Sequence, residues 1–340
     1  MKKIKINTIT NPKTIIKISE KCKKIKNFNF LVNSLNKIDE KGDFLFEITR
    51  MWELTDRNYD ILINFISQKK NGLNLIYEIG VEQSEEFNNY KILILSLIKL
   101  DKTGEWIYLA GRNWLCKEID YNLLVKALIK KDKTGKWISF ARNSWTINKK
   151  IVNLFIKALI KKDKTGEWIS YVGYYWPKEE VDFNLFTEAL IEKDETGKWI
   201  WYAGANWPKE AKIDYELFTN LLIERDKTGE WIEKAGFFWR NKNNIDYELF
   251  KKFLLEKDKT GKWLCQAGID WSEEANIDYE LFTKLLIERD ETGEWIERAG
   301  ENWPKKANID YELFTKLLIE RDKTGEWIKE AKRYWPEWSE

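Results

Sequence analysis

Histidine is absent from the 340 residues. That removes the commonest general base, the serine–histidine and cysteine–histidine nucleophile pairs, and most catalytic zinc sites. Only three cysteines occur, Cys22, Cys116 and Cys265, widely separated and in no CxxC pair, so reduced thiols are expected rather than disulfide, zinc or redox chemistry. Long hydrophobic runs are missing too: no stretch approaches about eighteen uninterrupted apolar residues, which argues against a membrane span. The opening Met1-Lys2-Lys3-Ile4-Lys5-Ile6-Asn7 has the charged end of a secretory leader, but Asn, Thr and Lys interrupt the apolar run such a leader needs. A soluble, cytoplasmic protein is expected. Glycine-rich phosphate cradles of the P-loop or dinucleotide type do not occur, and no cofactor is indicated.

Charge of one sign is in excess only locally. Lys+Arg number 58 and Asp+Glu 56, but residues 1–162 carry 31 basic against 17 acidic side chains and the remainder 27 against 39. The head is basic and the tail acidic, which would allow salt-sensitive head-to-tail association of copies.

What the chain has in abundance is a repeat. The unit is cleanest in Ile309-Asp310-Tyr311-Glu312-Leu313-Phe314 through Asp322-Lys323-Thr324-Gly325-Glu326-Trp327-Ile328, closed by Trp335-Pro336. With the aromatic after Asp as register mark, ten copies fall at Phe28, Tyr59, Tyr90, Tyr121, Val152, Phe183, Tyr215, Tyr247, Tyr279 and Tyr311, spaced by 31 or 32 residues. A glycine follows the mark by fourteen positions in nine copies, a tryptophan by sixteen in the last eight, and a second tryptophan eight further on in nine. Copy two is degenerate, with Leu75 and Gln83 at the tryptophan positions.

Tyr311, Phe314, Leu317 and Leu318 form the stripe of an amphipathic helix that Asp310 should cap. The Asp-Lys-Thr-Gly step should end it, with Gly325 in the left-handed conformation and Thr324 placed to cap a second helix. In that second helix Trp327, Ile328, Ala331 and Trp335 share one face, and Pro177, Pro208, Pro304 and Pro336 stop its equivalents. Each copy then reads as a helix-turn-helix hairpin whose apolar face is buried only by stacking on its neighbours. The expected fold is all-α, a right-handed α-α superhelix of about ten such repeats over residues 27–340. Residues 1–26 would form a basic N-terminal segment and capping helix, and the last repeat would serve as its own cap. Architecturally, residues 28–340 resemble α-solenoids of the tetratricopeptide, HEAT and pentatricopeptide type, although the Asp-x-Thr-Gly-x-Trp-Ile…Trp-Pro frame is not the signature of any of them. The resemblance implies a non-enzymatic scaffold that binds peptides, proteins or nucleic acid along an extended surface.

Asp-Lys-Thr-Gly-Glu, at Asp101, Asp163, Asp226 and Asp322, superficially suggests a calcium loop. It lacks the Asp-x-Asp-x-Asp-Gly order and the closing Glu, so turn and capping chemistry is expected and no metal. The first tryptophans, Trp106, Trp137, Trp168, Trp199 and Trp231, are read as core together with their partners eight residues on. Positions two and six after them should then point to solvent. In the last two copies these hold Glu297, Glu301, Lys329 and Arg333. In the middle copies they hold Tyr174, Trp201, Phe237 and Ile269, and the flanking positions hold Phe140, Tyr171, Tyr175, Tyr202 and Phe238. An aromatic stripe where the frame allows charge points to a recognition surface for a protein or peptide, with Arg142 and Arg240 at its edges. The competing readings are a filled groove between helices and a homo-oligomer contact. The alternative partner is a single-stranded nucleic acid held by the same rings and by Lys126, Lys130, Lys133, Lys136, Lys149 and Lys150.

Overall fold

The computed structural model describes residues 32, 33, 35–37, 39–51, 56–82, 90–114, 121–145, 148–240, 245–271 and 275–335. The expected capping helix before residue 26, the mark Phe28, Trp52, Gln83 and Pro336 lie outside them. All regular structure among the described residues is helical. Contacts divide the chain into two compact units, Met1–Asp163 and Lys164–Glu340, so the array read as one run from 27 to 340 is described in two parts.

The first unit contains α1 (Asp43–Met51), α2 (Asp56–Ile66), α3 (Gly72–Glu82), α4 (Tyr90–Leu100), α5 (Glu105–Asn113), α6 (Tyr121–Lys131), α7 (Lys136–Ser144) and α8 (Lys149–Lys162). The second contains α9 (Glu167–Tyr175), α10 (Phe183–Lys193), α11 (Lys198–Asn206), α12 (Tyr215–Arg225), α13 (Glu230–Phe238), α14 (Tyr247–Lys257), α15 (Lys262–Asp270), α16 (Tyr279–Arg289), α17 (Glu294–Asn302), α18 (Tyr311–Arg321) and α19 (Glu326–Tyr334). Odd-numbered helices are the second helices of their copies. From α11 to α17 each second helix packs against its own first helix, against the first helix of the copy that follows and against the second helices on either side, while consecutive first helices stand further apart. The second helices therefore line the inner side of that unit's curvature, the geometry of a helical-repeat solenoid.

The turn explains why Asp recurs. In α14–α15, the Asp258 amide donates to the Leu254 carbonyl and closes the first helix. Asp258 Oδ1 accepts from the Thr260 amide, the Thr260 hydroxyl and the Gly261 amide at 2.9, 3.0 and 3.0 Å, and Oδ2 from the Trp263 and Leu264 amides, both at 2.8 Å. One buried carboxylate thus ends one helix and caps the next, satisfying amides that the start of a helix leaves orphaned. Threonine, expected to cap the second helix, takes a lesser part because the aspartate has that role: Thr260 Oγ1 accepts only from the Lys262 amide at 3.3 Å. Gly261 sits at φ +80, the left-handed region that a residue with a Cβ avoids.

Copies are stapled to one another by the second tryptophan. Trp271 lies on Gly236 of the preceding copy, where an added Cβ would stand 2.5 Å from indole Nε1. Its Nε1 donates to the Glu233 carbonyl at 2.8 Å, and Tyr247, tilted against Trp271 at 5.5 Å, donates its hydroxyl to the Gly236 carbonyl at 2.9 Å. The same four-residue clamp recurs at Gly204–Trp239–Tyr215, Gly268–Trp303–Tyr279 and Gly300–Trp335–Tyr311. A further staple, invisible in any one copy, is the basic residue ending the first helix. Arg225 Nη1 donates to the Ile191 and Asp194 carbonyls of the copy before it, and Arg321 Nη1 to those of Ile287 and Asp290, so a cation meets the C-terminal end of a neighbouring helix.

Candidate functional site

The second-helix face does not divide into a buried and a solvent side as one helix read alone suggests. A second helix has a first helix below it and second helices on both flanks, so a wider arc is covered. The position two after the first tryptophan, expected to be exposed, is buried: Tyr108, Ser139, Ser170, Glu233, Cys265 and Glu297 all occupy it inside the stack. Only Trp201, half-buried, and Lys329, exposed in α19, differ. The first tryptophans, expected to be core, are half-buried on the inner surface instead.

That shift joins the aromatic residues into a connected system. Trp168 stacks on Tyr171 at 5.7 Å, Tyr171 meets Tyr202 edge-on at 4.9 Å, and Tyr202 lies 6.1 Å from Trp201. Trp201 in turn stacks on Trp231 at 5.6 Å and meets Phe238 at 5.7 Å, and Phe238 abuts Phe237 at 4.9 Å. Tyr175 joins through Tyr171, and Tyr174 through Tyr175. Seven of the sequence-expected residues therefore form one ring cluster across α9, α11 and α13. Phe140, in the first unit, packs with Tyr108 and Trp137. Tyr174 at 61% and Phe238 at 50% are open to solvent, while Trp201, Tyr202 and Phe237 are partly covered. Burial, aided by Tyr171, Tyr175 and Tyr174, pushes the Tyr202 phenol up to about 12. Arg240 is exposed and its guanidinium covers the Phe237 ring at 4.5 Å; Arg142 is half-buried.

The expected lysines belong to other elements than these rings. Lys126 and Lys130 stand exposed on α6, Lys133 in the following turn, and Lys149 and Lys150 at the start of α8, all in the first unit. Lys136 lies over Trp137 at 4.5 Å. The rings of the second unit have their own cations: Lys198 over Trp199 at 4.4 Å, Lys234 over Trp231 at 4.7 Å and Lys262 over Trp263 at 4.4 Å.

Two clefts between the second helices escaped the sequence reading. One of about 310 Å³ is bounded by Glu233, Phe237, Phe238, Trp263, Gln266 and Asp270. The next, about 420 Å³, shares Gln266 and adds Glu297, Arg298, Glu301, Trp327 and Glu330. Glu233 is 2% exposed and Glu297 3%, and in each Oε1 has no hydrogen-bond partner. The neighbouring cations are engaged elsewhere, Lys234 with Glu230 at 2.8 Å and Arg298 near Glu294 at 3.9 Å. Burial, with Asp270 and Glu230 adding to it and Lys234 opposing, pushes the Glu233 carboxyl up to about 8. Burial, reinforced by Glu301, Glu330 and Glu294 against Arg298, brings Glu297 to about 7. The available signal was the register itself, because these are the copies with a carboxylate where the others place a hydroxyl, a thiol, a ring or, in the last copy, Lys329. Among the described residues no group of three His, Cys, Asp or Glu is arranged for a metal ion, and no helix is long and apolar enough to cross a membrane.

No protein-family model and no curated protein matches the chain. Among solved structures, it is similar to a chain described under computational design of self-assembling cyclic protein homooligomers, with 14% identity over 95% of this chain and 93% of that one. The TM-score of that pair is 0.09, too low for the likeness to bear on architecture or function.

Proposed function

We propose that this chain is a non-enzymatic repeat scaffold that binds a protein or peptide on the aromatic surface of its middle second helices, in the manner the solenoid resemblance implies. One observation carries the reading: rings from Trp168 to Phe238 are connected across three helices, with Tyr174 and Phe238 left open to solvent. The repeat frame does not need these rings, since the equivalents of Tyr174 and Phe238 in α17 are Glu301 and Asn302. Large aromatics flanked by an arginine are what hot spots of protein interfaces are made of. The nucleic-acid alternative is weaker because its lysines sit on other elements than the rings.

The test is selection of peptides from a random displayed library on the immobilised full chain, followed by Tyr174→Ser and Phe238→Ser. Both side chains are exposed, so helical content should hold while affinity for the selected peptides falls at least about tenfold, the scale of losing one anchor. If nothing is selected, or if both variants bind as well as the parent, the reading fails. Tight, steeply salt-dependent binding of single-stranded oligonucleotides would transfer it to the alternative.

A further inference from the structure

The repeat frame offers no reason for a carboxylate at the second-helix position of Glu233 and Glu297. Equivalent positions carry Ser139, Ser170 and Cys265, which bury without charge. An ionised oxygen buried without a donor costs several kilocalories per mole in general, and such departures from a local rule cluster at functional sites. Both carboxylates line clefts, and both leave Oε1 unpartnered. Once both carboxylates ionise, acidic groups outnumber basic ones in each lining, Glu233 and Asp270 against Lys234 in one and Glu297, Glu301 and Glu330 against Arg298 in the other, next to an aromatic wall, Phe237, Phe238 and Trp263 in the first and Trp327 in the second.

We propose that these two clefts bind a basic peptide, one cationic side chain entering each, with the Glu233 and Glu297 carboxylates as the buried acceptors. The inference rests on the scaffold reading above and names its ligand class. A guanidinium suits the first cleft best, because it can donate to a carboxylate through two parallel N–H groups while its plane lies on a ring. Glu233 and Glu297 stand two repeats apart, at equivalent positions of α13 and α17. With neighbouring helices about 8–10 Å apart, that separation of about 16–20 Å matches about five to six residues of extended chain at about 3.3 Å each. Gln266 of α15 lines both clefts, so the chain between the two cations would cross there, and the Phe237, Phe238 and Trp263 rings of the first cleft favour a peptide with apolar surface over a free polyamine.

The experiment measures fluorescence anisotropy of a labelled peptide of about ten residues, two arginines about six positions apart in a Gly/Ser background, against the full chain. Glu233→Gln and Glu297→Gln keep side-chain shape, and each should weaken binding about tenfold, the scale of one charge-assisted hydrogen bond. Replacing both arginines of the peptide by alanine should abolish binding, and spermine at equal charge should not compete. Affinity should also rise as pH passes about 7 and about 8, because the carboxylates must ionise to receive the cation. The groups facing Glu233 are Asp270 from α15 and Glu230 and Lys234 of its own helix; those facing Glu297 are Glu330 from α19 and Glu294, Arg298 and Glu301 of its own. Unchanged affinity in both Gln variants, equal binding of the arginine-free peptide, or full competition by spermine overturns the proposal. If neutral peptides bind through Phe238 with no dependence on either glutamate, the scaffold reading survives and this inference does not. If no peptide binds, both fall.

Discussion

The two units are built on one frame and differ in what the frame holds. The first is basic and the second acidic, and the change of sign at residue 162 falls one residue from the division between them. In the second unit the frame is nearly complete: the glycine and tyrosine of the clamp recur from Gly204–Tyr215 to Gly300–Tyr311, and the staple between first helices is arginine at Arg225, Arg289 and Arg321, with Lys193 and Lys257 at the equivalent position of the other two. The first unit uses lysine for that staple, Lys69 to the Asn36 carbonyl and Lys162 to that of Asp132. Its last second helix has Arg142 in place of the glycine, and the next mark is Val152, which has no hydroxyl. Regularity therefore rises along the chain together with negative charge. The unit with the more uniform frame is also the one that departs from it at single positions by burying carboxylates.

The largest expected effect tests whether the frame works alike in both units. Trp239→Ala and Trp145→Ala each remove a buried indole that covers a glycine and donates to a carbonyl, of Trp201 and Tyr108 respectively. Each should cost about 3–5 kcal/mol, as large-to-small core changes do. Because repeats couple only to neighbours, hydrogen exchange should lose protection in the unit that carries the change and retain it in the other. A loss spread evenly over all helices would make the chain one cooperative block and erase the comparison.

Next in size is Gly236→Ala, whose methyl would meet the Trp271 indole at 2.5 Å. Helix propensity alone would favour alanine by about 1 kcal/mol, so the sign decides between propensity and packing. A destabilisation of about 2 kcal/mol in urea unfolding is expected, because neither the indole nor the backbone beneath it can withdraw without breaking the Glu233 and Gly236 hydrogen bonds.

The hairpin, the stack and the left-handed glycine were legible in the sequence because each follows from a period and from one residue's local preference. Asp322 was read as part of the turn, but its four acceptor contacts could be counted only in three dimensions. The site was half legible. Aromatic substitutions at Tyr174 and Phe238 stand out against a charged background, and both are exposed. Glu297 was misread as solvent-facing because an angular projection of one helix assigns one covered side, whereas a second helix in this stack has neighbours on both flanks. Arg225, Arg289 and Arg321 look like ordinary surface charge, since their carbonyl partners are 31 and 34 residues away.

A pH profile separates the units next. The unfolded chain loses the Glu233 proton near 4.5, while the folded chain keeps it to about 8. Between those values the native state binds the extra proton, so stability falls as pH rises, and it is flat below and above. A shift of this size corresponds to about 5 kcal/mol at most, and relaxation of the site should reduce that to about 2. Glu233→Gln should therefore remove most of the decline between pH 5 and 8 while leaving stability near pH 4 unchanged. A decline of equal size in the variant would mean that Glu233 is already solvated when the protein is folded.

The smallest effect concerns the place where the frame is interrupted. Arg142→Gly alone should destabilise by about 1 kcal/mol, since glycine costs that much inside a helix and gains nothing unless a partner uses the freed surface. Val152→Tyr alone should also be unfavourable, because the ring enters a buried site whose facing position still carries a side chain. Together they recreate the pair that elsewhere sets a tyrosine hydroxyl on a glycine carbonyl, as Tyr121 does with Gly111 at 3.3 Å. The double variant should then be more stable than the two single changes sum to by about 1 kcal/mol, the net worth of one hydrogen bond, in a double-mutant cycle read by urea unfolding. Strict additivity would mean that Arg142 and Val152 are not a displaced clamp, and that the interruption beside the unit boundary has a separate cause in each residue.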